Sequence, residues 1–165
     1  MTTIGCDYSS STLYLACLNN LKVHAIASLN IEDLCHSLDP LKALLHSYHF
    51  EYESKREIYI EQPWVNGIRY PRSGLMMMRS ATILEVVTIE SGLKPVFVHP
   101  LTWRKLLFGN GRPSDPKATA VNWVKENCHY DVPVFGKTGK GHRADHNFAE
   151  AIAIAHFGEI NSSQN

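Results

Sequence analysis

The chain has 165 residues, 44% hydrophobic and 19% charged, with sixteen basic and sixteen acidic side chains and no net charge. That length and balance fit one globular domain with a real core, and no stretch is long and uncharged enough to span a membrane. Cys6, Cys17, Cys35 and Cys128 are scattered with no CxxC pair, which argues against a zinc site or disulfide framework and, with no visible signal peptide, for a reduced, cytoplasmic setting.

Residues 2–7, 12–18 and 22–28 are rich in β-branched and apolar side chains and are separated by Ser9-Ser10-Ser11 and Asn19-Asn20. They read as three strands of an antiparallel meander. The first carries an acid, Asp7, directly after an apolar run. Asp39-Pro40 supplies an N-cap and a first-turn proline, and Leu41, Leu44, Leu45 and Tyr48 then fall on one helix face. Residues 57–61 read as a fourth strand, ending in Glu61. A loop over 63–74 leads to a helix over 75–91 stopped by Gly92. Residues 94–99 form a short apolar strand, 100–108 a brief helix, and 115–127 a further helix. Residues 132–135 are a short apolar piece, and 137–142 a basic loop of glycine, lysine and His142. A last helix is expected over 144–157, within a single domain of residues 1–160, and residues 161–165 are expected as a disordered tail.

This order implies an α/β protein with a mixed five-stranded sheet flanked by helices. Asp7 and Glu61 become neighbours if their strands pair. The last helix, with Asp145 and Glu150 among small residues, must then lie across the sheet beside them. Acids inside apolar elements are costly unless paired, protonated or bound to a metal. Acids from three such elements, meeting at one point, would hold divalent cations through oxygen ligands and suit two-metal phosphodiester hydrolysis. Charge is unevenly spread. Residues 1–65 carry four basic and eight acidic side chains, a net of −4, whereas residues 66–144 carry twelve basic and five acidic, a net of +7. A basic middle between acidic site elements suits a phosphate backbone led toward metal-binding carboxylates.

These motifs, in this order, resemble the ribonuclease H-like fold and, within it, the RuvC family of Holliday junction resolvases. Gly5-Cys6-Asp7-Tyr8-Ser9-Ser10 is similar to the family's first acidic motif. Glu61-Gln62-Pro63-Trp64, followed by Pro71-Arg72-Ser73-Gly74-Leu75 and Arg79-Ser80-Ala81-Thr82-Ile83-Leu84, is similar to the second acid and the helix behind it. His99-Pro100-Leu101-Thr102-Trp103-Arg104-Lys105, and then Lys117, resemble the basic helix-loop segment, and Ala149-Glu150-Ala151-Ile152-Ala153 the closing acidic helix.

The resemblance implies a nuclease that resolves four-way DNA junctions as a homodimer, with two Mg²⁺ ions per site and Mn²⁺ as a substitute. A related nuclease acting on other branched DNA or on RNA–DNA hybrids is the alternative. Asp7, Glu61, Asp145 and Glu150 are the implied catalytic metal ligands. Trp64, Arg72, Arg104, Lys105, Lys117 and Lys140 are the implied DNA contacts. Trp64 stands where the family has an aromatic residue that meets unstacked bases; burial in the core is the competing reading. Lys140 or His142 would stabilise the scissile phosphate or move a proton. One departure leaves the fourth ligand open. The family has two ligands three apart on the last helix, but the residue three before Glu150 is the neutral Asn147. Asp145 lies five before it, and the order Asp145-His146-Asn147 is also similar to the closing motif of TnpB-type nucleases, where that aspartate is the ligand. Finally, Leu75, Met78, Thr82 and Val86 recur at helical spacing and mark a candidate dimer face.

Overall fold

The computed structural model describes residues 2–9, 11–50, 57–63, 71–110, 114–133 and 145–162. Three strands, β1 (Thr2–Tyr8), β2 (Thr12–Asn19) and β3 (Lys22–Asn30), form the antiparallel meander. Two helices follow, α1 (Ile31–His36) and α2 (Asp39–Phe50), then β4 (Glu57–Glu61), α3 (Pro71–Glu90) and β5 (Lys94–Val98). Helices α4 (Pro100–Phe108), α5 (Pro116–Cys128) and α6 (His146–Ser162) complete the described elements. The sheet order is β3-β2-β1-β4-β5, with β1, β4 and β5 parallel to one another. The expected mixed five-stranded sheet is therefore present, with helices on both faces.

The period-2 geometry of strands assigns the two faces. Ile4, Cys6 and Tyr8 of β1, Leu13, Leu15 and Cys17 of β2, and Ile58 and Ile60 of β4 point one way, into a core with Leu34, Leu41, Leu45, Leu84 and Val87 of α1, α2 and α3. The alternate residues point the other way. Ala16 and Leu18 of β2 pack with Val124 of α5 and Phe148 and Ile152 of α6. Tyr59 of β4 packs with Trp103 of α4 and Ile154 and Phe157 of α6. Asp7 and Glu61 share the parity of Gly5 and Tyr59 and so belong to this second face.

Helix α6 is seated directly on the centre of the sheet. A Cβ on Gly5 would collide with the backbone of Ala151 and Ala155. The run Ala149, Ala151, Ala153 and Ala155 is wholly buried, and these small side chains let helix and sheet approach closely.

Several boundaries differ from the sequence expectation, for physical reasons. Helix α1 was not expected. Asn30 caps it by accepting from Glu32 N, and Ile31 and Leu34, one turn apart, bury its inner side. Helix α2 takes in Asp39 itself, whose backbone N donates to Ser37 Oγ. Helix α3 starts at Pro71, where a proline costs no hydrogen bond, so residues expected as loop are its first turn. It stops before Gly92, which adopts φ +73°. Asp115 lies just outside α5 and caps it, accepting from Lys117 N and Ala118 N. Helix α6 runs to Ser162, beyond the expected end at 157 and into the expected tail, because Phe157 and Glu159 are still buried against the fold. Residues 163–165 of that tail lie outside the described residues. No helix among the described residues is long and apolar enough to cross a membrane.

Candidate active site

Three of the four expected acids meet on the α6 face. Parallel pairing of β1 with β4 sets Ile4 against Ile58 and Cys6 against Ile60. Asp7 and Glu61 each follow directly after that last pair. Glu150 reaches the same point from α6. Asp7 is 5% exposed and Glu150 8%, so neither carboxylate is a solvated surface charge.

The electrostatics record their proximity. Burial raises the Asp7 carboxyl well above its ordinary value, and the charges of Glu61 and Glu150 raise it further, against smaller lowering by Tyr8 N–H and Arg104. Glu61 is pushed up to about 7, mainly by burial, with Glu150 adding to the rise and Arg104 and the Trp103 hydrogen bond opposing it. Crowded carboxylates in a low-dielectric site resist ionising together unless a cation joins them.

Protein donors already hold this cluster. Arg104 Nη2 on α4 donates to Glu150 Oε1 at 2.7 Å and lies 3.7 Å from Glu61 Oε2. Trp103 Nε1, on the same helix, donates to Glu61 Oε2 at 2.9 Å. Tyr8 Oη donates to the backbone oxygen of Glu61 at 2.8 Å, tying β1 to the end of β4. The Trp103 ring is fully buried, in edge contact with Phe108. Trp103 has no role assigned to it from sequence beyond membership of a motif. The signal for one is its position beside Arg104 on a helix starting at His99-Pro100.

Asp145 lies just before α6. Its backbone N donates to Pro133 O, and its Oδ1 accepts from both the backbone N and the Nδ2 of Asn147, each at 3.0 Å. Asn147 in turn hydrogen-bonds Tyr14, whose hydroxyl is raised by burial first and then by the charge of Asp145. Tyr14 is the β2 partner of Asp7 and packs edge-on against Phe148. Asp145 and Asn147 thus form one hydrogen-bonded unit beside the three-acid cluster, with Asp145 as the helix cap.

Of the expected DNA contacts, Arg104 turns inward to the acids. Lys105 on α4, Lys117 in the first turn of α5 and Arg72 in the first turn of α3 are exposed. Trp64, Lys140 and His142 lie outside the described residues. Among the described residues no group of three or more His, Cys, Asp or Glu is arranged as a ready-made metal site. The donor set nonetheless fits a hard divalent cation. It offers carboxylate oxygens from three rigid elements, buried and mutually repelling, with the single charge of Arg104 in among them.

No protein-family model matches the sequence, and no curated protein matches it either. Solved structures do. The chain superposes on RuvC of T. thermophilus in complex with a Holliday junction substrate with a TM-score of 0.71, over 100% of this chain and 96% of that one, at 14% identity. A Thermus thermophilus RuvC structure matches with a TM-score of 0.67 over 99% and 96%, at 15% identity. The fold is the RuvC fold. At such identity the likeness is one of architecture, and it bears out the sequence resemblance at that level across the whole chain.

Proposed function

We propose that this chain is a divalent-metal-dependent endonuclease that resolves four-way DNA junctions as a homodimer. The observation that carries the reading is the convergence of Asp7, Glu61 and Glu150, from β1, β4 and α6, on one face of a RuvC fold. Buried acids that raise one another's proton affinity are unfavourable in a purely structural role. They become favourable when they ligate Mg²⁺.

In this reading Asp7, Glu61 and Glu150 hold two Mg²⁺ ions, with Mn²⁺ as a substitute, and Asp145 is the fourth ligand. When bound, the ions supply an activated water and stabilise the leaving 3′ oxygen. The chain's own part is orientation. Tyr8 and Trp103 fix the end of β4 and the carboxylate of Glu61. Asp145 caps α6, the helix that carries Glu150. Arg72, Lys105 and Lys117 contact phosphates along the basic middle segment.

A four-way junction has two-fold symmetry, so a symmetric dimer presents one site to each of two strands. The dimer face is assigned to α3. Leu75 is 71% and Met78 46% exposed, and Val86 and Ile89 continue the same stripe. An apolar stripe of that length on one helix suits burial by a second copy.

A substrate panel tests the proposal. With Mg²⁺, an immobile four-way junction should be cut far faster than linear duplex DNA, a simple fork or an RNA–DNA hybrid. Preferential cutting of the hybrid or fork would move the function to another nuclease of this fold.

A further inference from the structure

Arg104 occupies an unusual place for a side chain expected on the DNA. Its Nη2 lies 2.7 Å from Glu150 Oε1 and 3.7 Å from Glu61 Oε2. Its guanidinium carbon is 4.8 Å from the centroid of the Trp103 ring, and Trp103 uses the same Glu61 oxygen. One oxygen of Glu61 and one of Glu150, both on carboxylates that would ligate a metal, are thus already engaged by protein donors. The engagement is incomplete, because Arg104 Nε is buried and has no hydrogen-bond partner among the described residues. A stable arginine–carboxylate pair is frequently bidentate, and this one is made through Nη2 alone. The side chain is also 33% exposed, so part of it lies at the protein surface.

We infer that Arg104 is a resident counter-cation of the acid site, which holds Glu61 and Glu150 together without a divalent ion and is displaced when one binds. The inference rests on assigning these carboxylates as metal ligands. Its physical basis is competition for the same oxygens. One delocalised positive charge at hydrogen-bond distance is exchanged for two charges at the shorter distances of metal coordination. Arg104 is thereby a positioning residue, because it acts through Glu61 and Glu150.

The test is Ca²⁺ binding to metal-stripped, DNA-free protein by calorimetry, comparing wild type with Arg104→Gln and Arg104→Lys. Removing the competing charge should tighten Ca²⁺ binding by about ten-fold in Arg104→Gln. Its Tm in chelator should fall below wild type, and saturating Ca²⁺ should close that gap. Arg104→Lys keeps the charge and should stay close to wild type in both readouts. A second readout needs no variant. The Arg104 side-chain Nε–H resonance of wild-type protein should shift in step with Ca²⁺ saturation. Unchanged or weaker Ca²⁺ binding by Arg104→Gln, or an Nε–H resonance that stays fixed while Ca²⁺ binds, would overturn the inference and leave the metal site standing. Absence of Ca²⁺ binding in every form would overturn the metal assignment, and the inference with it.

Discussion

Asp7 and Glu61 hold their protons more tightly than ordinary carboxylates because both are buried beside Glu150, and this gives the metal-free protein a pH signature. Glu61 moves from 4.5 in its ordinary state to about 7 in the fold. A raised carboxyl binds its proton better folded than unfolded. Its contribution to stability is complete below 4.5 and is lost as pH rises through about 7. Thermal melts in chelator should show Tm falling across that window in wild type and falling less in Glu61→Gln. Equal slopes in both would contradict the assignment. Catalysis should be more sensitive still. Asp7→Asn, Glu61→Gln and Glu150→Gln keep shape and each remove the charge of a proposed metal ligand. Each should lower the cleavage rate by on the order of 10³-fold or more while junction binding persists, because several kcal/mol of transition-state stabilisation are lost. The proposed ligand role of Asp145 is separable from its capping of α6. Asp145→Ala should lose the helix cap as well, at about 1 kcal/mol, whereas Asp145→Asn retains an acceptor for Asn147. If Asp145 is the ligand, Asp145→Asn is as inactive as Glu150→Gln and Asn147→Ala is mild. The opposite ranking would give the role to Asn147.

Among the elements, those with a strong periodic signature were legible in the sequence and those fixed by tertiary contact were not. The strands of the meander carry alternating apolar residues, and β4 matches its expected bounds because Glu57 and Glu61 flank a short apolar run. Helix α1 was invisible because six residues with one buried pair give too little pattern. The extra length of α6 comes from packing of Phe157 and Glu159, whereas α3 gains its first turn from Pro71, which starts a helix at no cost in hydrogen bonds. The three acids were readable because a charge set in an apolar strand or an alanine-rich helix is costly to bury and so marks a site. That Arg104 turns toward them was not readable, since a basic residue on an amphipathic helix carries no sign of which way it points. Two element-level tests follow from the packing. Gly5→Ala forces β1 and α6 apart and should cost about 1–3 kcal/mol or more, seen as a lowered denaturation midpoint. Met78→Glu or Thr82→Glu on α3 should sediment as a folded monomer and bind junctions poorly. Dimers that persist in both variants would exclude this face.

For the molecule as a whole, net neutrality conceals a division of labour: acids sit at the centre of the sheet, and the basic excess lies in residues 66–144. Affinity for DNA should therefore depend on salt, though the chain is not basic overall. Because Arg104 is tied to the acids, the exposed Lys105 and Lys117 are the cleaner candidate phosphate contacts to remove. Changing both to alanine should weaken binding to many sequences alike and flatten the log–log salt dependence by roughly 2. If selectivity for junctions comes from dimer geometry, as proposed, it should survive that change. The most direct measurement of metal-dependent junction resolution is cleavage of an immobile four-way junction by wild-type protein, with all four strands labelled in turn. Paired incisions on two opposed strands are expected with Mg²⁺, binding without incision in Ca²⁺, and no incision by Glu61→Gln. Absence of Mg²⁺-dependent cutting, or wild-type cutting by Glu61→Gln, would contradict the proposed function.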